Sequence, residues 1–139
     1  MKKGARLRLA VHQILYNIYR LNKTLDSISI RNIFDKNKKS DIAFIYNVCL
    51  FTMRYNFHLD KIIKKYVKKK SKVNDVILLK SAITQIVFLE FKEYAVIDSS
   101  VEIAKKFNIY HGFINACLKK IAEDKLNLRK TIKKWIAER

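Results

Sequence analysis

The chain has 139 residues and a formal net charge of +18, with 30 Lys and Arg against 12 Asp and Glu. It contains no proline and only two glycines, which excludes glycine-rich phosphate loops, tight hairpins and linker-like segments. Because half of its residues are hydrophobic, we expect one domain over residues 1–139, built from helices around a buried core.

The positive charge favours a polyanionic partner, either nucleic acid or an anionic membrane surface. Lysine outnumbers arginine by 23 to 7, however, and an AT-rich genome would produce this composition without any partner. No run approaches the ~20 apolar residues that span a bilayer, and the start of the chain lacks the uninterrupted apolar core of a signal peptide. We therefore expect a cytoplasmic protein and no membrane partner.

The first half of the chain shows helical periodicity with one interruption. Apolar residues recur at steps of four and three and predict a helix over about residues 5–21. Residues 22–40 predict a loop with one or two helical turns, and Ser40 and Asp41 are candidate caps for a helix that ends near Arg54. The apolar residues expected to pack this loop down are Ile28, Ile30, Ile33 and Phe34.

The middle of the chain predicts two helices. One covers about residues 58–69, and the lysines that crowd its C-terminal end would suit the negative end of the helix dipole. Ser71 or Asn74 could cap the next helix, which is the most apolar segment of the chain and should form the axis of the fold. Its core residues are Val76, Leu79, Ala82, Ile83, Ile86 and Val87.

The last third predicts three more helices, over about residues 96–107, 110–123 and 128–137. The first should bury Ile97, Val101 and Ala104. Together the patterns predict an all-α fold, a compact bundle of about six to seven helices.

The sequence contains no motif for catalysis or metal binding. Its three histidines have no nearby nucleophile and no orienting partner, and Cys49 and Cys117 lie alone among apolar residues. We expect no cofactor, no metal and no catalytic activity from this chain by itself. The positive signal is a basic arm that leads into a helix displaying Gln13 and Tyr16, residues suited to hydrogen bonding and base stacking. The arm consists of Lys2, Lys3, Arg6 and Arg8.

Four segments, read together, resemble the NusB/RsmB superfamily of all-helical RNA-binding domains. They are Arg6-x-Arg8 with Gln13-Ile14-Leu15-Tyr16; Asp41-x-x-Phe44 with Arg54 and Leu59-Asp60-x-Ile62; Leu79-x-x-Ala82 with Gln85-x-x-Phe88-Leu89; and the pair of helices between Val96 and Lys120, which carries Gly112-Phe113-Ile114-Asn115. One branch of the superfamily is a transcription antitermination factor, and the other is the N-terminal domain of rRNA 5-methylcytosine methyltransferases.

Two details resemble the methyltransferase branch slightly more. Arg54 lies six residues before Asp60, and Lys119 stands where methyltransferases tend to have arginine and antitermination factors aspartate. A methyltransferase needs a Pro-Cys nucleophile motif, which a chain without proline cannot contain. The resemblance therefore implies an RNA-targeting domain related to such an enzyme but lacking its catalytic part. The alternatives are a stand-alone antitermination factor and a helical protein-interaction module with incidental charge.

The resemblance also implies a ligand and a set of contacts. The ligand would be ribosomal RNA or its leader transcript, and a ribosomal protein or a separate catalytic chain would be a possible partner. In the antitermination factor an acidic residue at the Lys119 position helps to bind a ribosomal protein, and here that charge is reversed. The RNA contacts expected are Lys3, Arg6, Arg8, Tyr16, His58, Phe113, Lys119 and Lys120.

Overall fold

The computed structural model describes residues 1–138, apart from the side chains of residues 28 and 29. This part of the chain contains eight α-helices and no strand, which confirms the all-α prediction. The expected burial of Ile28 lies outside the described side chains. The helices are α1 (Lys3–Leu21), α2 (Ile28–Asp35), α3 (Lys39–Arg54), α4 (Asn56–Tyr66), α5 (Val73–Ile83), α6 (Glu93–Lys106), α7 (His111–Glu123) and α8 (Lys125–Ala137).

Helix α1 begins earlier than its apolar pattern indicates. Its first residue is Lys3, so most of the basic arm belongs to the first turns of the helix instead of preceding it. The helix ends at Leu21 and is capped by Asn22, which has a left-handed backbone (φ 55°) and whose N–H donates to the carbonyl of Asn17. Asparagine tolerates this conformation better than most residues, which explains the stop.

The predicted caps of α3 and α5 were wrong. Helix α3 begins at Lys39 and α5 at Val73, and neither receives a side-chain cap. The expected capping residues are used elsewhere, because Asp41 pairs with Lys3 (3.3 Å) and Asn74 hydrogen-bonds to His12 (3.0 Å). Tertiary partners therefore took two side chains that local rules assign to helix ends.

Helix α4 begins two residues earlier and ends three residues earlier than predicted. It ends at Tyr66, and Val67 has extended backbone angles (φ −113°, ψ 111°), so Lys68 and the lysines after it lie in the segment that leads to α5. A β-branched residue followed by adjacent like charges is a poor continuation for a helix.

Helix α5 is the axis of the fold, as predicted. Every residue from Ile77 to Val87 is buried. Two clusters of buried apolar side chains meet on this helix: Ile77 belongs to the cluster of α1–α3, whereas Leu78, Leu79 and Ile83 belong to the cluster of α4–α8. We call these two parts the N-terminal half (α1–α3) and the C-terminal half (α4–α8).

The end of α5 widens into a π-helical turn, Thr84–Phe88. The guanidinium of Arg129 donates to two carbonyls of this turn, those of Val87 (2.9 Å) and Ile86 (3.0 Å). It also pairs with Glu90 (3.1 Å), which has a left-handed backbone (φ 57°). Arg129 therefore supplies donors to carbonyls that the irregular turn leaves without regular helical partners.

The inner face of α6 differs from the prediction. Ala104 is buried as expected, but Ile97 and Val101 are only half-buried. The helix instead buries Ser99 and Ser100, because it packs against both α1 and α7. The Ser100 hydroxyl is satisfied within the helix, donating to the carbonyl of Val96 (2.7 Å). Among the helices described, none has the length and hydropathy to cross a membrane.

Candidate nucleic-acid interface

Four basic side chains from two parts of the chain meet at one end of the N-terminal half. Lys3 and Arg6 project from the start of α1, and Lys36 and Lys38 come from the connection between α2 and α3. All four are exposed, and they line a cleft of about 300 Å³ together with Leu7, Asn37 and Asp41. We call this the N-terminal surface, and its dense positive charge can attract phosphates at a salt-dependent strength.

Asp41 limits and orients this charge. Its carboxylate accepts from Lys3 at 3.3 Å, while the Lys3 side chain remains 60% exposed. The Asp41 side chain is only 14% exposed, so the pair is not fully screened by solvent, and a phosphate would compete with this carboxylate for Lys3. Arg6 forms no ion pair within the described residues.

Arg8 lies two residues after Arg6 but points into the molecule. Its Nε donates to Oε1 of Gln85 at 2.6 Å, its Nη1 lies 3.4 Å from Oγ of Ser99, and its guanidinium lies over the ring of Phe44. Burial lowers the pKa of this guanidinium from its ordinary value. The expected RNA contact by Arg8 stays a prediction. In the structure, the Arg8 side chain connects α1 with the π-helical turn and with α6.

Tyr16 lies one helical turn after a buried histidine, in a cavity of about 320 Å³. Nε2 of His12 lies 3.0 Å from Oδ1 of Asn74, an acceptor, so the imidazole donates from Nε2. Burial lowers the pKa of His12, against the opposing effect of the Asn74 hydrogen bond. The other walls of the cavity are uncharged, which suits a base edge better than a phosphate. They are formed by Gln13, Asn17 and Phe107.

Two of the expected RNA contacts lie within the hydrophobic packing of the C-terminal half. His58 is 4% exposed, and its ring stacks on Trp135 with 5.8 Å between centroids. Phe113 is partly buried against the same core. Their direct contact with RNA stays a prediction, and the structure shows both in packing positions.

Lys119 and Lys120 are exposed on α7, away from the elements that form the N-terminal surface. Lys120 pairs loosely with Glu123 at 4.0 Å. Lys119 lines a groove of about 620 Å³ between α6 and α7, together with Ile97, Val101 and other residues. The structure therefore does not bring these two lysines together with Lys3 and Arg6.

The sequence prediction missed Lys36 and Lys38. The signal was present, because Lys36-Asn37-Lys38-Lys39 is a basic run in the loop before α3. What the sequence lacked was the contact between the starts of α1 and α3, which the Lys3–Asp41 pair makes visible.

The cysteines offer no reactive site. Burial raises the pKa of Cys49 to about 12 and that of Cys117 to about 11, so neither thiol ionises near neutral pH. Neither forms a disulfide. In residues 1–138 no three His, Cys, Asp or Glu side chains come together as a metal site.

The fold and this surface define a class: a basic, all-helical domain with a charged cleft at the start of its first helix. Residues 5–123 match the model of the NusB family, so the chain belongs to the NusB family.

Two relatives support the assignment. The transcription antitermination protein NusB of Buchnera aphidicola subsp. Cinara cedri (strain Cc) is 30% identical over 135 residues, which cover 91% of this chain and 95% of that protein. A solved structure of T. maritima NusB has the same fold, with a TM-score of 0.77, 23% identity and coverage of 89% of this chain and 93% of that one. The Buchnera relative is a NusB protein, whereas Arg54 and Lys119 pointed towards the methyltransferase branch.

Proposed function

We propose that this protein is a transcription antitermination factor of the NusB type, which binds the leader transcript of ribosomal RNA through its N-terminal surface. The observation that carries the proposal is the convergence of Lys3, Arg6, Lys36 and Lys38 on one cleft of a NusB-family domain. The Buchnera relative is named as a transcription antitermination protein, which supports antitermination as the process.

The chemistry of the site supports RNA as the ligand. The lysines and Arg6 supply charge that any polyanion would satisfy, and this part of the binding free energy should fall with added salt. The Tyr16 cavity lies along the same helix and offers an aromatic ring and amide groups, which contact bases rather than phosphates. Phosphate attraction and base contact together are what sequence-preferring binding of single-stranded RNA requires.

The test compares two double variants that remove the same charge, one at the start of α1 and the other at its end and just beyond it. Lys3→Gln with Arg6→Gln alters the N-terminal surface, and Arg20→Gln with Lys23→Gln is the matched control, since both of its residues are also exposed. Affinity for a labelled rRNA-leader RNA and for a scrambled RNA is measured by fluorescence anisotropy across a salt series. We expect the first variant to bind the leader more weakly, with a salt slope shallower by roughly 1.4, at about 0.7 per lost contact on a single strand.

Two results would contradict the proposal. One is an equal loss of RNA affinity in the control variant, which would show that binding depends on net charge and not on the N-terminal surface. The other is equal affinity of the wild-type protein for leader and scrambled RNA, which would mean that the protein binds RNA through charge alone, without sequence preference.

The other partners suggested by the resemblance stay predictions. A ribosomal protein would meet the α6–α7 groove, where Lys119 carries the opposite charge to the acidic residue of the resemblance. A separate methyltransferase chain has no support from the relatives, both of which are NusB proteins.

A further inference from the structure

A second basic surface lies on the C-terminal half. Residues 61–72 contain seven lysines and no acid, and all seven lysines are exposed. Within the described residues none of them has a carboxylate within ion-pairing distance. Since α4 ends at Tyr66, its dipole accounts for the lysines of its last turn, Lys64 and Lys65, and not for those beyond.

An exposed aromatic ring lies at the start of this surface. Phe57, on the first turn of α4, is 58% exposed, although a phenylalanine normally packs inward. The ammonium of Lys61 lies 4.7 Å from the centroid of Phe57 and 4.8 Å from that of Trp135. This shared cation restrains the Phe57 side chain while leaving much of the ring accessible.

A groove of about 570 Å³ extends from Phe57 along α4. Its floor is apolar, formed by Ile63, Val67 and Val76. Its edge carries Lys61, Lys64 and Lys69 together with Asp60, whose carboxylate pairs with Lys80. We call the seven lysines together with Phe57 and this groove the α4 surface. It combines a positively charged track with an aromatic platform, the pattern used by proteins that bind single-stranded nucleic acid.

The α4 surface shares no residue with the N-terminal surface. Helix α3 separates them: Asp41 lies at its start beside Lys3, and Arg54 lies at its end, two residues before α4 begins. At 1.5 Å per residue, those two positions are about 20 Å apart along the helix axis.

We propose that the α4 surface is a second binding site for single-stranded RNA, in which the lysines hold the backbone and a base stacks on Phe57. The inference takes RNA as the ligand from the proposed function. A duplex would satisfy the lysines but keep its bases stacked within the helix, away from Phe57. An anionic membrane would need a broader apolar area than one exposed ring provides.

The test uses the full chain with Lys3→Gln and Arg6→Gln, so that binding at the N-terminal surface is weakened. In this background Phe57→Leu removes the ring and keeps an apolar side chain at an exposed position, where folding should be unaffected. Affinities for an oligouridine strand and for an RNA duplex of equal length are measured by fluorescence anisotropy. We expect about tenfold weaker binding of the strand and unchanged binding of the duplex, since stacking of a base on an aromatic side chain is worth about that much.

Lysine variants separate a site from diffuse charge. Lys64→Gln, Lys68→Gln and Lys69→Gln together should weaken strand binding more than Lys23→Gln, Lys92→Gln and Lys106→Gln, which remove three exposed lysines from other parts of the molecule. Equal effects of the two triple variants, an unchanged affinity in Phe57→Leu, or binding to phosphatidylglycerol vesicles as tight as to the strand would each overturn the proposal. The proposed function is judged separately, from the preference of the wild-type protein for leader over scrambled RNA.

Discussion

The two halves of the molecule use their basic residues differently. In the N-terminal half, two arginines two positions apart have different environments. Arg6 is exposed at the cleft, and Arg8 forms internal hydrogen bonds. In the C-terminal half the exposed Lys and Arg side chains that the structure describes are all lysines, while Arg129 turns inward to two backbone carbonyls. The planar fork of arginine suits fixed internal acceptors, whereas the lysine ammonium is strongly hydrated. A count of basic residues therefore overstates the surface available to RNA.

Lys80 is an informative exception to this division. It is buried in the last turn of α5, where its ammonium pairs with Asp60 (2.9 Å) and donates to Asn56 (2.6 Å). A lysine is accepted in the core here because a carboxylate and an amide oxygen from α4 replace its water.

Polar side chains also join the halves. Arg8 reaches Gln85 and Ser99, and His12 reaches Asn74, so α1 is held to α5, the π-helical turn and α6 by directional contacts as well as by apolar packing. If these contacts hold the N-terminal surface in place, removing them should lower the stability of the fold more than it lowers the affinity for RNA.

The largest effect should come from Arg8→Leu. It removes a charge-assisted hydrogen bond and leaves the buried Gln85 oxygen without its donor, and we expect a loss of about 3 kcal/mol in the free energy of unfolding. Urea denaturation followed by circular dichroism measures this loss. Arg6→Leu is the control, since its exposed side chain should change stability by no more than about 0.5 kcal/mol. Similar losses in the two variants would remove the distinction between an inward and an outward arginine.

Arg129→Leu should have the next largest effect. The carbonyls of Ile86 and Val87 would lose their guanidinium donors, which we expect to cost about 2 kcal/mol in urea denaturation. Lys133→Leu, one turn further along α8 and exposed, should be close to neutral. If Arg129→Leu were also neutral, the π-helical turn would not depend on this arginine, and the comparison of arginine with lysine would fail in the C-terminal half.

The smallest effect is a pH dependence from His12. Because burial lowers its pKa in the folded protein, the unfolded chain, with a pKa near 6.5, binds the proton more readily. Stability should therefore fall as the pH drops below about 6.5, by up to about 1 kcal/mol between about pH 7 and about pH 5.5. Urea midpoints at the two pH values measure this loss, and His12→Gln should show a smaller one. An identical pH profile in His12→Gln would exclude His12 as the titrating link between the halves.

Much of the fold could be read from apolar periodicity. The helix over residues 5–21, the end of a helix near Arg54 and the apolar axis around Leu79 and Ala82 are all present. The predictions were wrong where a side chain can either cap a nearby helix end or bind a partner far away in the chain. Asp41 and Asn74 are good caps in isolation, but in the folded chain they bind Lys3 and His12. The predicted burial of Ile97 and Val101 was wrong for a related reason. Helix α6 packs against two neighbouring helices, and this packing buries a different face of α6.

The sequence by itself determined the helices, the central apolar segment, the excess of positive charge and the resemblance to the NusB/RsmB superfamily, because these depend on composition, local spacing and motif order. The tertiary structure decided which basic residues can meet a ligand. It turned Arg8 inward and left Arg6 outside, placed His58 in the core, and brought Lys36 and Lys38 beside Lys3. These outcomes depend on contacts between residues far apart in the chain, and such contacts leave no periodic signal in the sequence.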